Sequence, residues 1–303
     1  MIDDPLAMIG GLETESVDSR FEALDSLTLS DLVLAMNDAE AQVPAAVRRA
    51  APQISTAIDA IVTRIGLGGR LIYVGAGTAG RLGLLDAAEC PPTFSTPPDL
   101  IQGVIAGGAQ AVVQAVENSE DDAAAGTAVV SDVGISALDA VVGISASGRT
   151  PYVLAAVEAA KGVGAITIGV SCNPNSELSG AVDVAIEVIV GPEFISGSTR
   201  LKAGSAQKQV LNMLSTISMI KLGKTYGNLM VGLSASNAKL RARAIGLVQG
   251  IASVPAGEAQ AALESADYRV PVAAIVLVKG VSVEEAQQLL ARADGSLRRV
   301  LHS

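Results

Sequence analysis

Five short apolar runs, separated by longer stretches with helical periodicity, occupy the middle of this chain. The runs cover residues 71–74, 100–105, 140–144, 165–170 and 184–190. Helical spacing is found between most of them, near 82–90, 109–117, 120–131 and 151–161. Strands that alternate with helices form parallel sheets covered on both faces. The sequence therefore predicts an α/β fold with a doubly wound parallel sheet.

Helical periodicity without strands is found on both sides of this region. Residues 20–66 read as helical, and Pro44 and Pro52 are expected to divide them into more than one helix. Beyond the last strand the predicted helices are 204–222, 232–252, 256–266, 270–279 and 282–291. We therefore predict a helical N-terminal segment that packs on the core (1–66), an α/β domain (67–227) and a small all-helical C-terminal region (228–303).

Charge and composition exclude several classes of function. The net charge of −10 argues against nucleic acid as a partner, because such proteins usually show a basic face. Polar residues and glycines interrupt every long apolar run, so no membrane-spanning segment is predicted, and the acidic residues 1–5 do not resemble a signal peptide. With two cysteines, one histidine and no C-x-x-C, neither a disulfide framework nor a metal site is expected. We expect a soluble, cytoplasmic protein.

A glycine loop follows the first predicted strand. Its sequence, GAGTAG over residues 75–80, fits the G-x-G-x-x-G pattern of dinucleotide-binding proteins. That site also needs an acidic residue about 20 positions further on, at the end of the next strand. Asp86 and Glu89 come too early and lie in the following helix. A dinucleotide-dependent oxidoreductase is therefore the less favoured interpretation.

A second loop, SASGRT over residues 145–150, follows the third predicted strand. Pro151 stands where a first-turn helix proline belongs. Hydroxyl groups of Ser145, Ser147 and Thr150, together with backbone N–H groups at the helix start, are suited to a phosphate monoester. One hydroxyl is enough for an N-cap, so this loop has more than capping requires. Basic residues near these loops also suggest an anionic small molecule: Arg81, Arg149, Arg200, Lys202 and Lys208.

Glu89 is a candidate general acid. Residues before proline avoid the α region, so the helix 82–90 is expected to end at about Cys90, before Pro91. Glu89 would then lie in the last turn, on the same apolar face as Leu85. Partial burial and the negative end of the helix dipole both favour a protonated carboxyl, which suits a general acid. The alternative is a solvent-exposed helix-terminal glutamate.

Glu120 is the candidate general base. Ser119 and Asp122 resemble a capping box, which would make Glu120 the first residue of the helix 120–131. The helix dipole favours an ionised carboxylate there. Stabilisation of the helix alone is the alternative. Two carboxyl groups in environments that favour opposite protonation states nevertheless form the pattern of an acid–base pair.

Several of these stretches resemble one family closely. They include YVGAGTAGRLGLLDAAECPPTF (73–94), AVENSED (115–121), GISASGRTPYV (143–153) and GPEFISGSTRLKAGSAQK (191–208). The family is that of the N-acetylmuramic acid 6-phosphate etherases, and the resemblance extends from about residue 12 to the C-terminus. It implies a sugar isomerase (SIS) fold. The related glucokinase regulatory protein shares this architecture, so the fold alone does not decide between an enzyme and a non-catalytic phosphosugar-binding regulator.

The resemblance implies a reaction and a set of site residues. The D-lactyl ether of N-acetylmuramate 6-phosphate would be cleaved to N-acetylglucosamine 6-phosphate and D-lactate. The steps would be removal of the C2 proton, elimination of lactate from C3 and addition of water. Glu89 matches the proton donor and Glu120 the second catalytic glutamate. The phosphosugar-binding positions implied are Gly77, Thr78, Gly80, Ser145, Ser147, Gly148 and Thr150.

The same resemblance implies a homodimer in bacterial cell-wall sugar recycling, with no metal or organic cofactor. The chemistry agrees with an acid–base pair. An ether oxygen leaves well only when it is protonated, and the C2 proton becomes acidic only after the ring opens to the aldehyde. Several positions depart from the family pattern: Ala79 replaces a common serine, Ala203 and Ala206 replace commonly polar residues, and the usual Asn after Thr14-Glu15 is missing. These departures concern substrate contacts rather than the class of reaction.

Overall fold

A computed structural model of the chain describes residues 11–233, 235 and 237–302. The chain divides into two compact units. The first comprises Met1–Ala88 and Asp99–Leu214, and the second comprises Glu89–Pro98 and Ser215–Ser303. Residues 1–5, which were predicted not to form a signal peptide, lie outside the described residues.

The first unit contains a parallel sheet of five strands. They are β1 Leu71–Gly75, β2 Ile101–Ile105, β3 Ala140–Ile144, β4 Ile166–Ser171 and β5 Val184–Glu187, in the order β2-β1-β3-β4-β5. The central strands are rich in Val and Ile and buried along their whole length, as expected of strands covered on both faces. The predicted doubly wound sheet is confirmed, although the fifth strand ends three residues earlier than expected.

Nine α-helices begin in the described part of the first unit. They are α1 Leu29–Glu40, α2 Val43–Arg49, α3 Ala51–Gly66, α4 Gly77–Phe94, α5 Gln110–Val113, α6 Ala123–Val133, α7 Pro151–Gly162, α8 Glu177–Ala181 and α9 Lys202–Lys221. Pro44 and Pro52 each stand in the first turn of a helix, so the predicted division of residues 20–66 is confirmed. The predicted helix 109–117 was too long, because only the short α5 forms there.

Helices cover both faces of the sheet. On one face, Val153 and Val157 of α7 belong to the same core cluster as Ile72 and Val141 of the sheet. On the other face α4 lies unusually close, since a Cβ on its Gly83 would stand 2.9 Å from the Cβ of Tyr73. This close approach decides which side chains of α4 face inward.

The second unit is helical, as predicted. Its helices are α10 Ala238–Ala252, α11 Ala256–Ser265, α12 Val270–Lys279, α13 Val283–Arg292 and α14 Leu297–Leu301. Val248, Leu263 and Ile275 are among the residues of its apolar core. The predicted helix 232–252 begins only at Ala238, where the Asn237 side chain accepts a hydrogen bond from the Leu240 amide at 2.9 Å. The five-residue α14 is too short to be found by periodicity.

The predicted end of α4 near Cys90 was wrong. The helix continues to Phe94 and includes Pro91 and Pro92. The restriction on a residue before proline is a steric preference, and packing can outweigh it. Cys90 and Phe94 are both buried, so burial of apolar side chains favours the last turn despite the hydrogen bonds that proline cannot donate.

Across residues 11–233, 235 and 237–302, every helix is too short or too polar to span a bilayer.

Candidate functional site

The predicted phosphate loops lie side by side at one edge of the sheet. Strands β1 and β3 are neighbours, and Gly75 at the end of β1 pairs with Ile144 at the end of β3. The chain leaves β1 to form β2 on one side, and β3 lies on the other. The crevice where the strand order reverses is the usual ligand position in open α/β sheets.

A cleft of about 370 Å³ opens at this edge, and all its lining residues belong to the first unit. It brings together six of the predicted site residues: Gly77, Thr78, Glu120, Ser145, Ser147 and Thr150. Gly80, Gly148 and Glu89 do not line it. A further cleft of about 430 Å³ in the second unit contains none of the predicted residues.

The glycine loop after β1 both lines the cleft and allows close packing of α4 on the sheet. Gly77 has φ +51°, which favours glycine, and it begins α4 at the cleft. A Cβ on Gly80 would lie 2.6 Å from Cγ1 of Ile105 and 2.7 Å from the carbonyl oxygen of Gly75. Gly80 therefore permits close packing of α4 on the sheet, and the structure gives it no place in the cleft.

Hydrogen bonds between its own side chains and backbone order the loop after β3. The hydroxyl groups of Ser145 and Thr150 lie 2.7 Å apart, and those of Ser145 and Ser147 lie 3.3 Å apart. Ser145 Oγ also accepts from the Gly148 amide at 3.0 Å. Gly148 has φ +70°, and a Cβ there would overlap Ser176. Gly148 thus shapes the loop and does not line the cleft.

None of the five basic residues near the loops lines the cleft. The Arg81 guanidinium donates to the carbonyl oxygens of Val112 and Gln114, at 3.1 and 2.8 Å. The buried Lys202 ammonium donates to the Val190 carbonyl at 2.7 Å. The structure therefore does not bring these cations together around an anion. Besides the Gln207 amide, the cleft offers hydroxyl groups and the backbone N–H groups at the starts of α4 and α7 as donors, and these suit a phosphate monoester.

A buried carboxylate caps α9 next to the cleft. Glu193 accepts from the amides of Lys202 and Ala203, each at 2.9 Å. Burial raises the pKa of Glu193, although these two amides and the Lys202 charge oppose that effect. Burial lowers the pKa of Lys202, and the negative charge of Glu193 opposes it. This arrangement orders the start of α9, and the cleft is lined by Thr199, just before the helix, and by Gln207, within it.

Glu120 lies in the 3₁₀ turn Ser119–Asp121, three residues before α6 begins. The predicted capping box was wrong, because Asp122 caps α6 by accepting from the Ala125 amide at 2.8 Å. The Ser119 hydroxyl instead donates to the Val116 carbonyl at 2.8 Å. Glu120 is therefore not a first-turn helical residue. It is an exposed carboxylate at the rim of the cleft.

Glu89 belongs to the second unit and is exposed. Its predicted place on an apolar face was wrong, because Leu85 is itself 52 % exposed. The inward face of α4 instead carries Gly83, Asp86 and Ala87. Asp86 is buried there and accepts from the Tyr73 hydroxyl at 2.9 Å and from the Asn212 amide at 2.6 Å. Close packing of the helix selects small residues for this face and turns the leucine outward.

Comparison with curated proteins decides the family. An N-acetylmuramic acid 6-phosphate etherase from Rubrobacter xylanophilus is 54% identical over 97% of this chain and 97% of its own length. One from Streptomyces avermitilis is 50% identical over 96% of this chain and 93% of its own. The chain belongs to the N-acetylmuramic acid 6-phosphate etherase family.

Comparisons of domains and structures agree with this membership in the etherase family. A family model described as SIS domain matches residues 125–217, and one described as glucokinase regulatory protein N-terminal SIS domain matches residues 53–161. A phosphoheptose isomerase from Francisella tularensis has a similar structure, with a TM-score of 0.52 and 20% identity over 64% of this chain and 100% of that one. At this identity the likeness concerns the fold alone. The predicted SIS fold and the predicted family are thus confirmed.

The three alanines that depart from the etherase pattern occupy different environments. Ala203 and Ala206 are fully buried in α9 and do not line the cleft. Ala79 does line it, so the missing hydroxyl at that position reduces the polar surface offered to a ligand. Of the three alanines, only Ala79 stands at the cleft.

Three polar residues that line the cleft were not predicted from the sequence: Glu15, Thr199 and Gln207. Thr199 and Gln207 belong to the stretch 191–208 that carries the resemblance, which was a usable signal. Gln207 is 1 % exposed, and among residues 11–233, 235 and 237–302 its amide nitrogen has no hydrogen-bond partner. A buried donor without a partner is costly, so this amide is a candidate contact for substrate. For Glu15, far from both loops in the sequence, no local pattern gave a signal.

Proposed function

We propose that this chain cleaves the D-lactyl ether of N-acetylmuramate 6-phosphate, the reaction that its resemblance to the etherases implies. The products are N-acetylglucosamine 6-phosphate and D-lactate. The cleft between β1 and β3 carries the proposal, because it places Glu120 beside the hydroxyl groups of Thr78, Ser145 and Thr150. The hydroxyl groups suit binding of a sugar phosphate, and the Glu120 carboxylate suits proton transfer.

The phosphate is held by neutral donors in this proposal. Ser145, Ser147 and Thr150 offer hydroxyl groups, and the starts of α4 and α7 offer N–H groups that carry a partial positive charge. Binding of this kind fixes one end of the sugar. A fixed orientation lowers the activation barrier, because a bimolecular step becomes an effectively unimolecular one within the complex.

Glu120 acts as the base that removes the C2 proton of the open-chain sugar. Its carboxylate is exposed at the cleft rim and can be reached by a substrate. The acid that protonates the ether oxygen as lactate leaves C3 is Glu89, a role that rests on the resemblance alone, because Glu89 does not line the cleft. Water then adds to the unsaturated intermediate. Each such proton transfer contributes about 10²–10⁴-fold to the rate.

Release of D-lactate from N-acetylmuramate 6-phosphate, without added metal, tests this function. We expect activity in the wild type and its loss by about 10²-fold or more in Glu89→Gln and in Glu120→Gln. Glu117→Gln is the matched control, since Glu117 is exposed in the same stretch as Glu120 and does not line the cleft. Equal rates in all four proteins would remove both glutamates from the mechanism.

A non-catalytic phosphosugar-binding regulator is the second candidate. The match of residues 53–161 to the glucokinase regulatory protein domain favours it. Such a protein needs the two loops and neither glutamate. Binding of N-acetylmuramate 6-phosphate without any release of lactate would support this candidate over the enzyme.

We further propose a cytoplasmic homodimer that serves cell-wall sugar recycling. Helix α1 exposes Leu29, Val33 and Leu34, and a second copy of the chain would cover these apolar side chains. Light scattering should give twice the chain mass for the wild type and the single mass for Leu29→Glu/Val33→Glu. Cell fractionation tests the compartment: recovery with the membrane or outside the cell would contradict it.

The division into parts 1–66, 67–227 and 228–303 remains a proposal. Limited proteolysis tests it, since cleavage near residues 66 and 227 is expected before cleavage within a part. Early cleavage only elsewhere would contradict these boundaries.

A further inference from the structure

We propose that Glu15 is a third catalytic carboxylate, which opens and closes the pyranose ring of the bound sugar. The inference rests on the proposed function, because removal of the C2 proton requires the open-chain aldehyde. Glu15 lines the cleft together with Glu120 and the hydroxyl loop after β3.

The segment that carries Glu15 is fixed to the loop after β3. Thr14 is fully buried, and its amide donates to Asn173 Oδ1 at 3.4 Å. The Asn173 amide nitrogen in turn donates to Thr14 Oγ1 and to the carbonyl oxygen of Ala146, each at 3.0 Å. One asparagine thus holds both the segment Glu13–Glu15 and the loop that receives the phosphate.

A second set of contacts fixes the segment from the other side. The Gly197 amide donates to the Thr14 carbonyl at 3.2 Å, and the Ser196 hydroxyl donates to the Glu15 carbonyl at 3.0 Å. A Cβ on Gly197, which has φ +75°, would lie 2.8 Å from Oε2 of Glu15. The glycine therefore leaves room for the carboxylate, whose backbone is held on both sides.

Glu15 can carry out the proton transfer of ring opening, to which neither Glu89 nor Glu120 is assigned. Up to the loss of lactate, the reaction needs three events of proton transfer: ring opening, removal of the C2 proton and protonation of the ether oxygen. Among the described residues that line the cleft, Glu15 and Glu120 are the titratable ones. Within those residues, no side chain or amide of the protein donates to the Glu15 carboxylate. It is therefore available to accept a proton from a sugar hydroxyl.

The step balances without a co-reactant. The Glu15 carboxylate takes the proton of the C1 hydroxyl, and the electron pair of that O–H bond forms the C1 carbonyl. The C1–O5 bond breaks with its pair remaining on O5, and the Glu15 carboxyl returns the proton to O5. The hemiacetal becomes an aldehyde with a free C5 hydroxyl, and the carboxylate is regenerated. Ring closure is the reverse, so repeated opening exchanges the two anomers.

Anomer exchange of N-acetylglucosamine 6-phosphate measures this step alone. Two-dimensional exchange NMR of the C1 protons should show that the wild type accelerates the exchange and that Glu15→Gln slows it by about 10²-fold or more. Glu15→Asp should recover part of the rate, since it keeps a carboxylate. Glu13→Gln is the matched control, because Glu13 lies in the same 3₁₀ turn and does not line the cleft.

Exchange of the C2 proton for deuterium, measured on the same ligand in D₂O, separates Glu15 from Glu120. We expect Glu120→Gln to keep anomer exchange and lose exchange at C2. Wild-type anomer exchange in Glu15→Gln would overturn the inference, and so would loss of ligand binding in that variant, which would make Glu15 a binding group. If the wild type exchanges anomers through Glu15 but releases no lactate, the proposed function fails while the ring-opening role stands.

Discussion

Strands β1 and β3 carry polar groups at both ends, and the two ends differ in kind. At the amino ends, Arg70 and Asp139 directly precede the strands and pair with each other at 2.8 Å. At the carboxyl ends, the cleft holds hydroxyl groups and two carboxylates, and no basic side chain among the described residues lines it. Groups that satisfy one another stabilise the fold. At the carboxyl ends the hydroxyl groups of Ser145, Ser147 and Thr150 bond to one another but also line the cleft, where a ligand can reach them.

The amino-end pair is satisfied almost completely. Asp139 is 1 % exposed and accepts from the Arg70 amide at 2.9 Å, from Arg70 Nε at 3.1 Å and from the Ser136 amide at 2.9 Å. Burial raises the pKa of Asp139, but the hydrogen bonds from Arg70 and from the Ser136 amide, together with the Arg70 charge, outweigh burial and leave the pKa below its usual value. The pair joins the starts of two neighbouring strands.

The largest expected effect is on stability, from Asp139→Asn. Asp139 is buried, but the Arg70 side chain is 24 % exposed, so loss of the charge-assisted hydrogen bonds between them should make unfolding easier by about 2–3 kcal/mol. Chemical denaturation measures the loss, and lactate release per folded molecule should be unchanged. Asp132→Asn, at an exposed position of α6, is the control. A variant with wild-type stability would show that the two ends do not differ as described.

The same pair gives a pH dependence with a defined sign. Because its pKa is lowered in the fold, Asp139 contributes stability above its unfolded pKa of about 3.9. That contribution is lost as the pH falls from this value through the folded pKa. Wild type and Asp139→Asn should therefore become more alike in stability as the pH falls below about 4. A constant difference between them down to acidic pH would contradict the assignment.

A smaller effect is expected at the carboxyl ends, and on activity. Ser145→Ala removes a hydroxyl that orders the loop and faces the cleft. A hydrogen bond to a charged group contributes about 2 kcal/mol, so kcat/KM should fall by roughly 30-fold. Stability should fall by only about 1 kcal/mol. Ser131→Ala, on the exposed side of α6, is the control. If the free energy of unfolding falls by more than the loss in kcat/KM represents, Ser145 is a structural residue like Arg70 and Asp139.

The two polar loops could be located from the sequence because their signals are local. A buried strand, a short polar loop and a first-turn proline occur together around Ser145 and Pro151, and the structure keeps that order. The orientation of α4 could not be located in this way. Its inward face is set by close packing on Tyr73 and Ile105, which favours Gly83 and Gly80 over Leu85.

The other differences between the predicted and the observed site arise because side chains bind partners that are distant in the sequence. Arg81 and Lys202 bind backbone carbonyl oxygens, and a sequence does not mark which carbonyls will be free. Glu15 reaches the cleft because Asn173, 159 positions from Thr14, bonds to that threonine. Neither spacing nor composition relates residues so far apart in the sequence. The position of Glu15 at the cleft could therefore be found only from the structure.

The smallest effect is expected at Gln207. It is opposite in kind to the effect at Asp139, because substrate binding should weaken while stability is kept. Gln207 is buried beside the cleft, and within the part of the chain that the structure describes its amide nitrogen has no hydrogen-bond partner. Gln207→Met keeps the volume and removes that nitrogen, so stability should be unchanged or slightly higher. If the amide contacts substrate, KM should rise by roughly fivefold, which corresponds to a neutral hydrogen bond of about 1 kcal/mol. Thermal melting and lactate kinetics measure both effects, with Gln260→Met on the exposed side of α11 as the control. A fall in melting temperature with KM unchanged would mean that the Gln207 amide stabilises the fold, as Asp139 does at the other end of the sheet.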